Sequence, residues 1–195
     1  MTGLSIGQVI PSFRLPSGQG AEVSTEDYLG RKNLIVWFTK GMACPFCRQH
    51  MSQLVRGYPE FQKRNAEILE ITATDPARAR FYMQKFPLPF PYLCDPGYQV
   101  RRSFTLDVRS HSPLWYAAKF VAGARESVSP TEFDVKITPG DLPKLLRDDD
   151  MGFYIADKQG VVRYALAGSY TDFDAKATRP IPPNEEIVRE LDRLS

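Results

Sequence analysis

The sequence predicts an α/β protein built around a central mixed sheet flanked by helices. Three observations predict this class: strand and helix patterns alternate along the chain, residues 34–73 form a strand-helix-strand pattern, and residues 153–166 form a hairpin pattern. The strand-helix-strand unit implies parallel strands, and the hairpin adds an antiparallel pair. Residues 1–195 are expected to form a single domain, because 43% hydrophobic residues can supply one core of this size.

The elements before the first helix are short, apart from one strand. Residues 11–20 are rich in turn formers, and Ser24-Thr25-Glu26-Asp27 resembles a short capped helical turn. The continuous apolar run Leu34–Phe38 is typical of a strand that is covered on both faces of its sheet. A helix is therefore expected to follow this strand and to pack against it.

Two helices and a second parallel strand are predicted next. Apolar residues recur at helical spacing over residues 45–62, although Gly57 and Pro59 indicate a break or kink. Residues 66–73 have the composition of a strand. A second helix is predicted over residues 76–86, with a proline at its first position.

The second half of the chain is predicted to contain a long insertion before the last hairpin. Residues 105–150 are poorly patterned, with a helix predicted only over residues 113–121. An insertion of this length acts as a lid, an interface or a surface excursion, and the sequence does not choose among these roles. The other predicted elements are a strand at 91–95, a helix at 98–104, hairpin strands at 153–157 and 161–166, and a C-terminal helix at about 184–194.

Composition and charge exclude several classes of partner. The formal net charge is +2, from 25 basic and 23 acidic residues that are interspersed, so neither a nucleic acid nor a membrane is expected as partner. No signal-like segment is evident, and three cysteines are too few for a disulfide framework. The chain is therefore expected to be cytoplasmic, with a small molecule or a protein thiol as its partner.

Two cysteines lie at the predicted junction between the buried strand and the first helix. Cys44 precedes Pro45, so its sulfur is expected at a helix N-terminus, where free backbone N–H groups and the helix dipole stabilise a thiolate. Lys40 and Arg48 add positive charge nearby in the sequence. The pKa of the Cys44 thiol is therefore expected to be lowered, to ~4–7.

The spacing of the cysteines favours redox chemistry over the other uses of a cysteine pair. Cys47 follows one helical turn after the first cysteine, so the two can form and break a disulfide. A structural zinc site needs four ligands, and the remaining candidates are the distant Cys94, His50 and His111. No metal and no cofactor are expected. The other alternative is that both cysteines are inert residues of the core.

The chain contains a series of six motifs: Gly7-x-x-Ile10-Pro11-x-Phe13, the apolar strand, the cysteine helix, the strand containing Ile68 and Thr72, Phe90-Pro91-Tyr92-Leu93-Cys94-Asp95 and Phe153-Tyr154-Ile155-Ala156-Asp157-Lys158-Gln159-Gly160. Together they resemble the peroxiredoxins of the alkyl hydroperoxide reductase and thiol-specific antioxidant (AhpC/TSA) family. The resemblance extends over about residues 4–166, apart from the insertion, and implies a thioredoxin-like fold. It also implies reduction of a hydroperoxide, an external dithiol reductant such as a thioredoxin- or glutaredoxin-like protein, and a possible homodimer.

The resemblance also gives a register for the candidate site. The family's Pro-x-x-x-Thr-x-x-Cys motif places Lys40 at the proline, Cys44 at the threonine and Cys47 at the cysteine that attacks peroxide. Met151 stands where the family has an arginine that steadies the thiolate. These departures remove donors that would stabilise developing charge on the peroxide. The candidate catalytic residues are Cys44 and Cys47, and the candidate supporting residues are Thr39, Lys40, Arg48 and Met151.

The sequence leaves the roles of the two cysteines open. Helix-end electrostatics favours Cys44 as the nucleophile in disulfide exchange, whereas the peroxiredoxin register favours Cys47 as the nucleophile toward peroxide. Cys44-Pro45-Phe46-Cys47 also resembles a glutaredoxin motif, yet residues 149–152 lack the cis-proline that thioredoxins and glutaredoxins place there. A third alternative is a redox sensor or interaction module that uses residues 105–150 as its contact surface.

Five further residues have predicted positions. Cys94 is expected to be a buried packing residue, although it is an alternative resolving or sensing thiol. His50 is expected to face solvent, and His111 to lie in a loop. Trp37 and Phe38 are expected in the core, where Trp37 is also placed to line the site.

Overall fold

The computed structural model describes residues 2–109, 112, 114–115, 131–138, 141, 147–169 and 181–194. Within these ranges, strands and helices alternate as predicted, and a short 3-10 helix at Thr25–Asp27 has a complete capping box. The elements are β1 (Arg14–Pro16), β2 (Glu22–Ser24), β3 (Asn33–Thr39), α1 (Pro45–Lys63), β4 (Ala66–Thr72), α2 (Pro76–Lys85), β5 (Tyr92–Cys94), α3 (Gln99–Ser103), β6 (Val108–Arg109), β7 (Asp148–Ala156), β8 (Val162–Ser169) and α4 (Asn184–Asp192).

A six-stranded mixed sheet lies at the centre, in the order β5-β4-β3-β7-β6, with β8 also paired to β7. Strands β3 and β4 run parallel and are connected through α1, as the strand-helix-strand pattern predicts. Strand β7 runs antiparallel to both β3 and β8. The predicted mixed sheet is therefore confirmed. It places the end of β3, and the cysteine loop that follows, in the middle of the sheet.

Helices cover both faces of the sheet, which explains why β3 is apolar along its whole length. Ile35 and Trp37 point toward the face that α1, α2 and α4 cover, whereas Leu34, Val36 and Phe38 point toward the face that α3 and the β1–β2 hairpin cover. All five side chains are fully buried. In the part of the chain that the structure describes, no helix combines the length and the apolar composition needed to cross a membrane.

Helix α1 is continuous where the sequence indicated a break. Gly57 lies against α4, because a Cβ there would come within 2.7 Å of the Asn184 side chain. Asn184 also donates a 2.8 Å hydrogen bond to the Gln53 carbonyl, which ties the two helices together. Pro59 is accommodated inside the helix. Of the predicted break or kink, the break is therefore wrong: α1 runs through both residues, and the glycine marks a close helix contact.

The described part of the insertion belongs to the protein core. Phe133 and Val135 are buried in the cluster on the α1 face, and Glu132 accepts a 2.6 Å hydrogen bond from Ser52 of α1. Arg78 of α2 forms a 3.0 Å ion pair with the insertion. Residues 131–138 are therefore packed on the helices. Of the helix predicted at 113–121, only two residues are described, and both are helical; the rest lies outside the described residues.

Two strand predictions need correction. The turn-rich residues 11–20 contain β1, which pairs with β2 as a short antiparallel hairpin. Strand β7 begins at Asp148, five positions before the predicted start at Phe153, because three successive aspartates are buried at its beginning. Arg101 and Arg109 lie beside these aspartates and supply the opposite charge. Sequence periodicity cannot show such pairing between distant segments.

Candidate active site

Cys44 caps the N-terminus of α1, as the sequence predicts. Its sulfur accepts a hydrogen bond from the Cys47 N–H at 3.4 Å, and Pro45 occupies the first helical position. The side chain of Cys44 is 5% exposed, whereas Cys47 is fully buried. Both cysteines are free thiols in the structure. The two cysteines therefore lie one helical turn apart, and both are buried, Cys44 slightly less than Cys47.

The loop between β3 and Cys44 is held in place by Tyr92 and by Arg48. Gly41 adopts a left-handed φ of +82°, and a Cβ on it would come within 2.4 Å of the Tyr92 hydroxyl. That hydroxyl accepts a 3.1 Å hydrogen bond from the Met42 N–H and also contacts Thr74 at 3.0 Å. Arg48 of α1 donates a second hydrogen bond to the loop, to the Met42 carbonyl at 2.9 Å. The sulfur of Cys44 is consequently presented by a fixed backbone.

The environment of Cys44 stabilises its thiolate. The Cys47 thiol donates a hydrogen bond to the Cys44 sulfur, and this bond is the largest influence on the pKa of Cys44. Burial acts in the opposite direction, while backbone N–H groups of Cys47 and Phe46 and the charge of Lys40 lower the pKa further. The net result is a pKa of about 7 for Cys44. A substantial fraction of this cysteine is therefore thiolate at neutral pH.

The environment of Cys47 favours the neutral thiol. Burial raises its pKa well above the usual range, and the neighbouring Cys44 raises it further. Hydrogen bonds from the Thr39 hydroxyl and the Lys40 N–H offset only part of this effect. The two cysteines are thus electrostatically unequal, with the more acidic thiol at the N-cap of α1 and the neutral thiol within its first turn.

The supporting residues predicted from the sequence occupy different positions around the pair. Thr39 contacts Cys47, and the Lys40 ammonium acts on Cys44 while donating to the Arg147 carbonyl at the end of the insertion. Met151 is 1% exposed and belongs to the same buried cluster as both cysteines. Arg48 donates to the Met42 carbonyl and therefore acts on the backbone of the cysteine loop.

The remaining aromatic and sulfur residues correct one prediction and confirm others. Trp37 is fully buried in the cluster that contains both cysteines, and Phe38 lies on the opposite face of the sheet. His50 does not face solvent: it is mostly buried, its ring meets the Trp37 ring edge-on at 6.3 Å, and burial lowers its pKa to about 4. Cys94 is buried on β5, opposite Thr72. His111 lies outside the described residues.

Sequence reasoning missed Glu70, which lies on the same side of the sheet as the cysteine pair. Glu70 lies two residues after Ile68 on β4, so the two side chains point to the same face of the sheet. It is also the register partner of Trp37 on β3. The carboxyl is fully buried, and neither oxygen has a hydrogen-bond partner among the described residues. Burial, followed by the charge on Cys47, raises its pKa well above the usual range. An acidic residue at an inward position of an apolar strand was the available signal.

Arg101 also escaped prediction. Its buried guanidinium donates to the Thr39 carbonyl at 3.1 Å and to the Asp150 carbonyl, and it lies over the Phe38 ring. It therefore connects the end of β3 to the start of β7.

Among the residues that the structure describes, no group of three or more His, Cys, Asp or Glu side chains is arranged to hold a metal ion.

Replacing Lys40 with methionine is expected to raise the pKa of Cys44, because one of the charges that stabilise its thiolate is removed. At neutral pH, the reaction of this thiol with a small electrophile should slow by about two- to fivefold. The control is Lys63→Met, which removes an exposed cation at the opposite end of α1. Alkylation rates across pH would measure both; equal shifts in the two variants would contradict the assignment to Lys40.

The architecture and the cysteine pair define a class: a thioredoxin-like α/β protein with two cysteines at the N-terminus of its central helix. The model of the AhpC/TSA family matches residues 6–129, and the chain belongs to this family. The predicted fold and family are therefore confirmed.

Relatives and solved structures agree with this assignment. Chloroplastic peroxiredoxin Q of Gentiana triflora is 31% identical over 101 residues, which cover 52% of this chain and 46% of that protein. Peroxiredoxin Bcp of Escherichia coli is 29% identical over 104 residues, covering 53% of this chain and 66% of that one. The chain thus spans about half the length of the plant relatives.

Solved structures of low sequence identity share the fold. Peroxidoxin BcpB of Mycobacterium tuberculosis superimposes with a TM-score of 0.65 at 13% identity, covering 100% of this chain and 99% of that one. A putative thiol:disulfide interchange protein DsbE of Chlorobium tepidum superimposes with a TM-score of 0.57 at 14% identity, covering 98% of each chain.

Proposed function

We propose that the chain is a thiol-dependent peroxidase in which Cys44 attacks the hydroperoxide and Cys47 resolves the product. The observation that carries this proposal is the inequality of the pair: Cys44 caps the helix and has a pKa of about 7, whereas the pKa of the fully buried Cys47 is raised and keeps it a neutral thiol. The family and its relatives named as peroxiredoxins support a peroxide as substrate.

In the first step, the Cys44 thiolate attacks one oxygen of the hydroperoxide. A sulfur–oxygen bond forms, the oxygen–oxygen bond breaks, and the other oxygen takes a proton and leaves as an alcohol or water. The backbone N–H groups of Phe46 and Cys47, which hold the thiolate, and the nearby Lys40 ammonium are placed to stabilise the charge that develops. The product is a sulfenic acid on Cys44.

In the second step, the sulfur of Cys47 attacks the sulfur of Cys44. The disulfide forms, the sulfur–oxygen bond breaks, and hydroxide leaves with the proton of the Cys47 thiol as water. Because the Cys47 thiol already donates a hydrogen bond to Cys44, only a short movement is needed. An external dithiol then reduces the disulfide. We expect this reductant to be a thioredoxin- or glutaredoxin-like protein.

The peroxiredoxin register gives the opposite assignment, with Cys47 as the nucleophile. The raised pKa of Cys47 works against this assignment, because the thiolate is the nucleophile and Cys47 stays a neutral thiol while Cys44 ionises. The arginine position of the family is filled by Met151, which offers no donor to the peroxide. The helix-end assignment therefore explains more of this site than the family register does.

The experiment is a stopped-flow reaction of the fully reduced protein with hydrogen peroxide and with cumene hydroperoxide, followed by Trp37 fluorescence and a thiol count. Trp115→Phe removes the second tryptophan signal. We expect the loss of two thiols per molecule, at least about tenfold faster than free cysteine, with a rate constant that rises with pH through about 7. Rates no faster than free cysteine with both peroxides would refute the peroxidase.

The second candidate is thiol-disulfide exchange without peroxidase activity, and Met151 is the observation that favours it. A buried thioether beside the pair replaces the donor that a peroxidase of this family uses, while the low pKa of Cys44 suits exchange equally well. Reaction of the reduced protein with glutathione disulfide tests this candidate. Fast formation of the internal disulfide without a fast peroxide reaction would favour exchange.

The other expected properties remain part of the proposal. A cytoplasmic location would keep the cysteines reduced between cycles. A homodimer is expected from the family resemblance and can be tested by light scattering.

A non-catalytic sensor is the remaining alternative. Such a sensor would change partner binding on oxidation without consuming peroxide. Its proposed contact surface is smaller than predicted, because Phe133 and Val135 of the insertion are buried.

A further inference from the structure

One ionisable group beside the cysteine pair has no part in the steps above. Glu70 is fully buried on β4 and points toward α1, in the apolar cluster that contains Cys47. Burying an unpaired carboxyl in such surroundings costs free energy, and proteins seldom retain one without a compensating use. Leucine or isoleucine would complete the alternating pattern that Ala66 and Ile68 begin.

The surroundings of Glu70 explain its protonation state. The titratable groups that face it are Cys47 from α1 and Tyr92 from β5, and both add negative charge when they ionise. Trp37 from β3 is its register partner, and the indole N–H also has no hydrogen-bond partner among the described residues. No cation acts on the carboxyl in the described part of the chain. Glu70 is therefore a neutral acid while Cys47 is a thiol.

We propose that Glu70 is the internal proton donor and acceptor for Cys47, an inference that rests on the proposed redox cycle of the pair. During reduction, the thiolate of the external dithiol attacks the Cys44 sulfur, a mixed disulfide forms, and the bond between the two cysteines breaks. Cys47 departs with the electron pair and takes the proton of the Glu70 carboxyl. It thereby becomes a neutral thiol, and Glu70 becomes a carboxylate.

The cycle closes through the solvent. The second thiol of the reductant attacks the mixed disulfide and releases Cys44 as a thiolate, while Glu70 recovers a proton from water. When a disulfide oxidises the pair, Glu70 first releases its proton to the solvent, and the resulting carboxylate then accepts the proton of Cys47 as the Cys47 sulfur attacks. Two buried anions never have to exist together, because Glu70 is a carboxylate only while Cys47 is a protonated thiol.

The test measures reduction of the internal disulfide, so it does not depend on peroxidase activity. Diamide oxidises the full-length protein, and dithiothreitol then reduces it in a stopped-flow instrument from about pH 5 to 10, with Trp37 as probe. The wild-type rate constant, calculated from the concentration of dithiothreitol thiolate, should not change with pH while Glu70 is protonated. It should fall at the higher pH values at which Glu70 ionises. Glu70→Gln should be slower by about a hundredfold and should lack this fall.

Glu67→Gln is the matched control, because Glu67 is a buried acid of the same strand that pairs with Lys32 instead of facing the cysteines. It should keep the wild-type rate and pH profile. Equal rates and profiles in Glu70→Gln and the wild type would overturn the inference.

A second measurement uses the wild-type protein alone, so it stands even if Glu70→Gln fails to fold. Infrared spectra of the disulfide form at neutral pH should contain the band of a protonated carboxyl, because Glu70 must hold the proton that Cys47 takes. A spectrum without this band would overturn the inference, since Glu70 would then have no proton to give. A wild-type protein that diamide cannot convert to the internal disulfide would contradict the redox pair itself, and the proton transfer with it.

Discussion

Cys44→Ser is expected to slow the first reaction with hydroperoxide by about a thousandfold or more, because the variant lacks the proposed nucleophile. The remaining thiol near the site, Cys47, is fully buried and its pKa is raised, so it cannot take over at neutral pH. Cys47→Ser should react within about tenfold of the wild-type rate, because a serine hydroxyl can still donate to the Cys44 thiolate. Its reaction should stop at the sulfenic acid.

These outcomes separate the two assignments of the cysteine pair. Single-turnover kinetics gives the first rate, and trapping with dimedone followed by mass spectrometry identifies which cysteine carries the sulfenic acid. Cys94→Ser is the control, since Cys94 is buried on β5 and should leave both steps unchanged. Fast reaction of Cys44→Ser with a dimedone adduct on Cys47 would instead establish the peroxiredoxin register.

The sequence predicted which strand and helix carry the cysteine pair, because these elements follow from local sequence patterns. The apolar run of β3 and the helical periodicity of α1 place Cys44 at a helix N-terminus, and Pro45 confirms the position. The lowered pKa of Cys44 follows from the helix end and Lys40, although the Cys47 thiol contributes more than either. That hydrogen bond depends on side-chain geometry that spacing alone does not define.

The parts that the sequence did not predict depend on contacts between distant segments. Glu70 is one acidic residue within an apolar strand, and only the parallel register with β3 places it beside Trp37 and the cysteine helix. His50 was expected in solvent, but α1 lies with this side against Trp37. The orientation of a helix about its axis is determined by packing, which a short polar segment does not reveal.

The burial of the β7 aspartates was also not predicted, because it depends on charge pairing with distant residues. Asp148, Asp149 and Asp150 have a low strand propensity, yet all three are buried. Ion pairs and hydrogen bonds compensate for their charge: Asp148 accepts from Ser169 at 2.5 Å, and Arg109 lies 3.1 Å from Asp150. Burial of an acidic run therefore depends on basic partners far away in the sequence.

Arg101 is the central partner of this acidic strand, and its replacement is predicted to have the largest effect on stability. Arg101→Met keeps much of the side-chain volume but removes the donors to the carbonyls of Thr39 and Asp150. The charge of the guanidinium also compensates the buried Asp149 and Asp95. Removing one member of such a buried network leaves the others unpaired, which costs about 3–5 kcal/mol of the free energy of unfolding.

Chemical denaturation measures this loss, and thermal unfolding should show a melting temperature lower by roughly 10 °C. Arg102→Met is the matched control, because Arg102 is the next residue of α3, is exposed, and its guanidinium donates to the Gly97 carbonyl. Its free energy of unfolding should change by less than about 0.5 kcal/mol. If both variants lost the same small amount, the aspartates of β7 would have to be stabilised by Arg109 and Arg147 alone, and Arg101 would not connect β3 to β7 energetically.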